Sequence, residues 1–306
     1  METTNNKGAF NMEIIAIFSD VDDFCLVFEP EFNKRLLKEG EKKRNKESKL
    51  SVSEIMTIMV WFHQSGYRTF KDYYTKEVMK HLMWAFPKLV SYNRFVELQK
   101  RALLPLACYL ETRFGVCTGI SFIDSTSIKV CHNRRIHSNK VFEGKAKRGK
   151  TSVDWFYGFK LHLVLNDQGQ LLGVRLTTGN IDDREVVEKM TNHLWGKLFG
   201  DKGYISQQLF DLLFNNGLQL ITKVRTKMKN KLLPLLDKIY LRKRAIIESV
   251  NDQLKNISQI EHSRHRSLPN FFFNLIAGLV AYTFRDKLPS VRFDPISLNL
   301  LPVTCF

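Results

Sequence analysis

Three acidic residues occupy positions where a carboxylate needs a chemical reason. Asp124 lies within a predicted strand, in Ile-Asp-Ser-Thr, and Asp201 directly follows a short predicted strand, in Gly-Asp-Lys-Gly-Tyr. Aspartate is depleted in strands and is costly to bury without a partner. The ends of strands in α/β sheets are also where functional groups are displayed. The third acid, Glu248, lies on a helix predicted over about 241–257.

On that helix Glu248 belongs to a polar stripe. At about 100° per residue, Tyr240, Arg244, Glu248, Asn251 and Lys255 fall on one side and the large aliphatic residues fall on the other. A solvated face with an Arg244–Glu248 pair is the ordinary explanation for a lone helix. The presence of two further strand-associated acids favours a functional interpretation.

An Asp-Asp-Glu set has a clear chemical use. Carboxylates are hard oxygen ligands that suit Mg²⁺ or Mn²⁺. Two such ions about 3.5–4 Å apart can hold the attacking and leaving oxygens of an in-line phosphoryl displacement. A zinc site is the alternative, but Cys131, His132 and His137 are better interpreted as a polar loop.

Other acidic residues have simpler explanations. Asp182 and Asp183 stand at a predicted helix start, where capping and the helix dipole account for them. Asp154 and Asp252 are less well placed, although Asp252 lies only about 40° from Glu248 around the helix.

The composition predicts a polyanionic partner. The 306 residues include 47 Lys+Arg and 31 Asp+Glu, which gives a net charge of +16. Such a balance indicates nucleic acid as the first candidate partner and an anionic membrane as the second.

Between residues 131 and 150, the only acidic side chain is that of Glu143, and there are seven basic ones: Arg134, Arg135, Lys140, Lys145, Lys147, Arg148 and Lys150. We expect this basic segment to contact phosphates with a strong dependence on salt, although a solvated loop is the simpler alternative. Trp155, Phe156 and Tyr157 follow it, and a place in the core is favoured over base stacking.

Several protein classes are excluded or disfavoured. Hydrophobic residues make up 44 % of the chain, which is too many for a mainly disordered protein. Five cysteines without a CxxC pair exclude a disulfide scaffold. The N-terminus does not resemble a signal peptide, and the most apolar stretch, 271–284, is shorter than the about 20 residues that span a bilayer. We therefore expect a cytoplasmic protein.

The elements that must position these groups change from helical to mixed at about residue 116. The pattern predicts an N-terminal helical arm and charged linker over 1–50, with helices at 11–24 and 31–39. The run 41–49 is interpreted as a solvated linker, with DNA contact as the alternative. A basic helical region follows over 51–115, then an α/β domain over 116–290 and a tail over 291–306. Within the α/β domain the predicted strands are 120–130, 159–165, 171–177, 197–200 and 218–224, and the predicted helices are 180–194, 206–215, 241–257 and 271–284.

These motifs together resemble the DDE transposases of bacterial insertion sequences, most closely the insertion-sequence family numbered 982. The segment around Glu248 reads Tyr-x3-Arg-x3-Glu-x6-Lys, at positions 240, 244, 248 and 255. This is similar to the Tyr-Arg-Glu-Lys signature of related transposases, whose common form has one residue fewer between Tyr and Arg. The resemblance covers roughly residues 50–290, including Thr-Thr-Gly-Asn at 177–180 and Trp-Phe-Tyr-Gly-Phe-Lys at 155–160.

The resemblance implies a ribonuclease-H-like mixed sheet flanked by helices, behind an all-helical N-terminal DNA-binding region. Asp124, Asp201 and Glu248 would hold two Mg²⁺ or Mn²⁺ ions. Arg244 and Lys255 would contact phosphates near the cut, and Tyr240, Lys202 and Tyr204 are weaker candidates for DNA contact.

The family's reaction is cleavage of the element's 3′ ends and transfer of the freed 3′-hydroxyl to target DNA. The implied partners are double-stranded DNA, with its terminal inverted repeats and target, and a second copy of the chain on that DNA. Two alternatives stay open: a non-catalytic DNA-binding protein derived from a transposase, and a related nuclease that hydrolyses without joining. The implied location is the bacterial cytoplasm, in association with the nucleoid.

Overall fold

The computed structural model describes residues 2–38, 48–151, 153–223, 232–261 and 265–292. The chain forms two compact units, one of residues 1–113 and 254–285 and the other of 114–253 and 286–306. The sequence pattern divides the chain at residues 115 and 290, whereas contacts within the fold group 254–285 with the N-terminal helices. The charged run 41–47 and the tail beyond residue 292 lie outside the described residues.

The first unit is helical. Its helices are α1 (Glu2–Lys38), α2 (Val52–Phe62), α3 (Phe70–Asp72), a π-helical turn (Tyr73–Val78), α4 (Met79–His81), α5 (Tyr92–Thr112) and α10 (Leu268–Thr283). Helix α2 begins with the capping box that its sequence predicts, because Ser51 accepts from the Glu54 amide and Glu54 accepts from the Ser51 amide. Helix α10 is buried along most of its length and packs on α2 and α5. No helix in the described ranges is long and apolar enough to cross a membrane.

The prediction of two short helices before residue 40 is wrong, since α1 runs unbroken through Pro30. Packing explains the continuity. The rings of Phe24 and Phe28 stack at 5.1 Å, and those of Phe28 and Phe32 at 5.3 Å, so the apolar stripe continues past the proline. Asp20 anchors the same helix by accepting a hydrogen bond from the Tyr109 hydroxyl at 2.6 Å. These contacts outweigh the helix-breaking tendency of proline.

Within the described residues, the second unit contains a mixed sheet flanked by helices, as predicted, with six strands instead of the five predicted. Its strands are β1 (Ile120–Cys131), β2 (Lys147–Lys150), β3 (Trp155–Asn166), β4 (Leu171–Thr178), β5 (Gly196–Gly200) and β6 (Leu218–Thr222). Strand β1 pairs with β3 in antiparallel fashion and with β5 in parallel fashion, and β5 pairs in parallel with β6. Strand β3 pairs along its other edge with β2 and then β4. The flanking helices are α6 (Val187–Thr191), α7 (Gln207–Asn215), α8 (Leu235–Lys243) and α9 (Ala245–Asp252).

The two faces of the sheet differ in character. One face carries an aliphatic core, in which Ile123 and Leu198 pack with Val187 of α6 and Leu209 of α7. The other face is aromatic. There Phe122 and Phe199 lie 5.7 Å apart, and the ring of Tyr240 from α8 lies 5.3 Å from Phe199. Because side chains alternate along a strand, residues two positions beyond these phenylalanines emerge on the face that α8 covers.

Three predicted elements differ from the structure. The predicted helix 180–194 is a 3₁₀ turn, Asp183–Val186, followed by the short α6. The predicted helix 241–257 is interrupted at Arg244, and beyond α9 it continues as a π-helical turn, Gln253–Ile257. Strand β2 lies inside the basic segment that was predicted as a loop, because β3 extends far enough to pair with it.

Candidate active site

The register of β1 and β5 brings Asp124 and Asp201 to the same level of the sheet. The last parallel pair joins Phe122 to Phe199, and each aspartate follows two residues later on its own strand or just after it. In a parallel pair, equal offsets from a paired position place two residues side by side on one face. The electrostatic influence of Asp201 on the Asp124 carboxyl agrees with this proximity.

A tight turn fixes the orientation of Asp201. Its Oδ1 accepts a hydrogen bond of 2.8 Å from the backbone amide of Gly203, at the start of the 3₁₀ turn Lys202–Tyr204. A Cβ atom at position 203 would come within 2.9 Å of that oxygen, so a side chain there would push the carboxylate away. The Gly-Asp-Lys-Gly sequence therefore ends strand β5 and orients the Asp201 carboxylate.

Arg244 connects two of the acids. It occupies the junction where α8 ends at Lys243 and α9 begins at Ala245. Its Nη1 lies 3.4 Å from Asp124 Oδ2, and its Nη2 donates a 2.9 Å hydrogen bond to Glu248 Oε1. Nη1 is buried and has no hydrogen-bond partner among the described residues.

Burial raises the pKa of Asp124 from 3.8 to about 6. The Arg244 guanidinium and the 2.9 Å hydrogen bond from the Ser125 amide oppose that rise, whereas the charge of Asp201 adds to it. The carboxyl is therefore held in a place where a nearby cation favours its ionised form.

The three candidate acids fit a divalent ion by their chemistry and only in part by their arrangement. Asp124, Asp201 and Glu248 offer only carboxylate oxygens, which is the chemistry that Mg²⁺ prefers. Within the ranges that the structure describes, however, no three acidic, histidine or cysteine side chains are close enough to hold a metal. Asp124 and Asp201 lie together, and Glu248 is 62 % exposed and held by Arg244. The fit is good for the aspartate pair, while Glu248 would have to exchange its arginine for the ion.

The sequence reasoning missed a supporting network beside Asp124. Asp183 Oδ2 accepts a 2.8 Å hydrogen bond from the Ser125 hydroxyl, and its Oδ1 forms a 2.8 Å ion pair with Lys160 Nζ. Lys160 also donates to the carbonyl of Ile181 at 2.8 Å. Capping by Asp182 is confirmed, but capping does not account for Asp183. In the sequence, Lys160 could have indicated this network, because a lysine within an apolar strand needs a buried partner.

The two tyrosines near the site are both packing residues. Tyr204 is buried in the aliphatic core, and its hydroxyl has no hydrogen-bond partner in the described structure. Burial raises its pKa, and the charges of Asp124, Asp183 and Asp201 add to the effect. Tyr240 is half-buried against Phe122 and Phe199, where it supports the floor of the site.

A small open cavity borders Asp201. Its volume is about 230 Å³, and its lining includes Asp201, Lys202 and Arg244, together with Lys223 just after β6. Sequence reasoning missed Lys223, which adds a third positive group to the same cavity. Three cations around one carboxylate make this cavity suited to a phosphate group rather than to a neutral ligand.

The seven predicted DNA-contacting residues between 131 and 150 are all exposed. Phe142 and Ala146 anchor this basic segment in the core, and the Tyr157 hydroxyl donates to the Phe142 carbonyl at 3.0 Å. Lys140 pairs with Glu143 at 3.3 Å, and Lys150 lies 5.7 Å from the centre of the Trp155 ring. The segment is therefore a folded basic surface.

The aromatic run after the basic segment is buried except for its first residue. Phe156 and Tyr157 are buried, whereas Trp155 is 54 % exposed. His132 caps the short turn Asn133–Arg135 by accepting from the Arg134 amide. Lys255, predicted to contact phosphate, belongs to the helical unit and pairs there with Glu261 at 3.4 Å.

The comparison with protein families agrees with this geometry. The family model described as "Transposase DDE domain" matches residues 114–268, which is half of the chain and includes all three candidate acids. Among curated proteins no match is found. A DDE domain acts on DNA, and the basic surface beside the sheet suits such a substrate. On the family match, over a mixed sheet that brings two acids together, the chain belongs to the DDE transposase family.

Proposed function

We propose that this protein is the transposase of an insertion sequence similar to the family numbered 982. It would hydrolyse a phosphodiester at each element end, which frees a 3′-hydroxyl, and that hydroxyl would then attack a phosphodiester of the target. The joining step makes one P–O bond and breaks another, so it needs no external energy source. The observation that supports this proposal best is the parallel register that brings Asp124 and Asp201 together.

Asp124 and Asp201 would hold Mg²⁺ or Mn²⁺, and Glu248 would complete the donor set for two ions. When bound, such ions make water a better nucleophile and stabilise charge on the phosphate and the leaving oxygen. The raised pKa of Asp124 fits this use. Burial favours the neutral carboxyl, and a bound cation would stabilise the ionised carboxylate.

The chain's own cations would position the DNA. Arg244 presents a buried Nη1 without a hydrogen-bond partner, which suits a phosphate oxygen. Lys202 and Lys223 line the same cavity and would hold the adjacent phosphate. Further away, the basic segment with Arg134, Arg135, Lys140, Lys145, Lys147, Arg148 and Lys150 would follow the backbone of the duplex.

Several wider parts of the proposal follow from the family's reaction. Two element ends must be processed together, so a homodimer on the paired ends is the expected assembly. Tyr240 would act through packing, and Lys255 would reach phosphate only after leaving Glu261. The helical region 51–115 would contribute to binding the terminal repeats.

One observation favours a second candidate, a non-catalytic DNA-binding protein. Arg244 bridges Asp124 and Glu248, and the described residues form no three-ligand metal cluster. An arginine that permanently neutralises two of the acids would leave a basic DNA-binding surface without catalysis. Metal dependence distinguishes the two candidates.

The deciding experiment measures cleavage of a duplex that contains the DNA flanking this reading frame, with and without Mg²⁺ or Mn²⁺. We expect metal-dependent nicking by the wild type and none by Asp201→Asn, with duplex binding kept. Asp211→Asn is the matched control, since Asp211 is an exposed aspartate on α7 of the same unit. Normal cleavage by a folded Asp201→Asn protein would overturn the assignment. Absence of cleavage by the wild type would favour the non-catalytic candidate, and cleavage without joining of pre-cut ends would indicate a hydrolytic nuclease.

A further inference from the structure

A large groove lies within the helical unit, and all of its lining residues belong to that unit. Its volume is about 1460 Å³, above the roughly 300–1,000 Å³ of ordinary small-molecule pockets. Its walls come from α2, from α3 and the turn that precedes it, from the start of α5, from Asn256 and Gln259, and from residues between His265 and Asn274. A groove of this size suits part of a polymer.

The lining of the groove carries positive charge without acidic residues. Arg68, Lys71 and Arg266 line it, are exposed, and make no ion pair within the described residues. The neighbouring acids are already paired with other cations: Asp72 with Lys76 at 2.7 Å, Glu97 with Arg94 at 2.7 Å and Glu261 with Lys255 at 3.4 Å. The groove is therefore electropositive, which favours an anionic polymer.

The inner wall of the groove presents polar atoms that lack partners. Asn270 Oδ1, Asn274 Nδ2 and His265 Nε2 are buried, line the groove, and have no hydrogen-bond partner in the described structure. Asn274 is only 3 % exposed. Because buried polar groups are nearly always hydrogen-bonded, these three atoms can pair with a ligand that brings its own donors and acceptors.

The groove also has aromatic and strained features. The rings of Phe70 and Tyr92 lie 6.1 Å apart, and both are only half-buried. Gln259 also lines the groove with φ of 50°, a left-handed conformation that is uncommon for residues other than glycine. Aromatic faces beside amide groups form a surface on which bases stack while their edges are hydrogen-bonded.

We propose that this groove binds a DNA strand with unpaired bases. The three cations contact phosphates, the rings stack on bases, and the amide and imidazole groups contact base edges. A duplex fits poorly, because its bases are stacked and paired and cannot reach the inner wall. This inference rests on the proposed function, since the proposed cleavage produces a strand end with a free 3′-hydroxyl, and it adds a second DNA contact to that function.

The test uses the full-length Asp201→Asn protein in EDTA, so that binding is measured without catalysis. The probe is a fluorescent 20-nucleotide single strand of mixed sequence, with anisotropy as the readout at several salt concentrations. We expect the triple variant Arg68→Ala, Lys71→Ala, Arg266→Ala to lose affinity on the order of tenfold at about 0.1 M salt. Its log–log salt slope should fall by about 2.

The matched control removes three exposed cations of the same unit outside the groove lining, Lys80→Ala, Lys88→Ala and Arg101→Ala. Circular dichroism and thermal melting establish that both triple variants are folded. Equal losses in the two variants would overturn the proposal, because the effect would then be net charge alone.

A second arm tests base contact. We expect the wild type to bind the mixed strand several-fold more tightly than an abasic strand of equal length, and Asn270→Ala to reduce that difference. Equal binding of mixed and abasic strands, or tighter binding of a blunt duplex, would overturn the groove's assignment. Either outcome can occur while metal-dependent cleavage is normal, so failure of this proposal is distinct from failure of the proposed function.

Discussion

Arg244 Nη1 lies 3.4 Å from Asp124 Oδ2, at a distance that gives an ion pair without a well-formed hydrogen bond. The guanidinium thus neutralises the acid while it keeps one donor unused. This arrangement suits a group that yields its place beside the carboxylate when a metal and a phosphate arrive. Because Arg244 pairs with Asp124 and Glu248, it would also compete with a metal ion for these two carboxylates.

Replacement of Arg244 should therefore separate metal binding from cleavage. In Arg244→Ala we expect Mn²⁺ to bind more tightly, since a competing cation beside Asp124 and Glu248 is lost. We expect DNA cleavage to slow by at least about tenfold, because a charge-assisted contact to phosphate is lost. Calorimetry with Mn²⁺ and a nicking assay measure the two effects. Arg244→Lys keeps the charge, so its Mn²⁺ affinity and cleavage rate should lie between those of the wild type and Arg244→Ala. Weaker metal binding by Arg244→Ala would contradict this account.

The Asp183–Lys160 pair should contribute to stability as well as to the site. Asp183→Asn leaves the ammonium group of a largely buried lysine without its carboxylate partner, at a cost of about 1–3 kcal/mol in the free energy of unfolding. It also weakens the anchor of Ser125 next to Asp124, so cleavage should fall further than stability alone explains. Urea unfolding and the nicking assay test this. Glu188→Gln, at an exposed position on α6, should change neither the free energy of unfolding nor the cleavage rate. An Asp183→Asn protein with unchanged stability and cleavage rate would refute the network's role.

The basic segment should determine affinity for duplex DNA without affecting the chemistry. The triple variant Lys145→Ala, Lys147→Ala, Arg148→Ala removes three exposed charges, so the slope of log K against log salt should fall by about 2 to 3. The rate at saturating DNA should change little. Lys189→Ala, Lys238→Ala, Arg242→Ala remove the same number of exposed charges elsewhere in that unit and provide the control. Equal slopes in both triples would argue against a localised DNA surface.

Stability should fall in acid because of His63. Burial lowers its pKa from 6.5 to about 4, so the folded protein keeps it neutral while the unfolded chain protonates it below about pH 6.5. The unfolded state then binds more protons, so this stabilisation is full above pH 6.5 and is lost as the pH falls to 4. The loss is on the order of 3 kcal/mol. Thermal melting from pH 7.5 to 4 should show a steeper decline for the wild type than for His63→Gln, and equal declines would count against this assignment.

Local sequence pattern was sufficient for the elements that hold the first two acids. Asp124 and Asp201 were found because each interrupts or ends an apolar strand, and a strand's own residues carry that signal. The capping box at Ser51 was likewise visible in four consecutive residues. The local pattern does not predict the register between β1 and β5, because register depends on contacts between segments that are far apart in the chain.

The contacts that were missed all join distant residues. Ser125 and Asp183 are 58 positions apart, and Tyr109 reaches Asp20 across 89. Neither pairing has a local signature, so the local pattern predicts a capping role for Asp183 and a helix start at Pro30. The break at Arg244 was missed for a similar reason, because the arginine's contact with Asp124 favours a local bend that helical periodicity does not indicate.

The pairing of Phe122 with Phe199 fixes the acids independently of the residues that connect β1 to β3. That connection includes the basic segment, which can lengthen, shorten or change charge while Asp124 and Asp201 keep their places. If the basic segment contacts DNA as proposed, substitutions in it would change the affinity for DNA without moving the two aspartates. The proposed DNA contacts and the placement of the acids would then be separable, because they depend on different stretches of the chain.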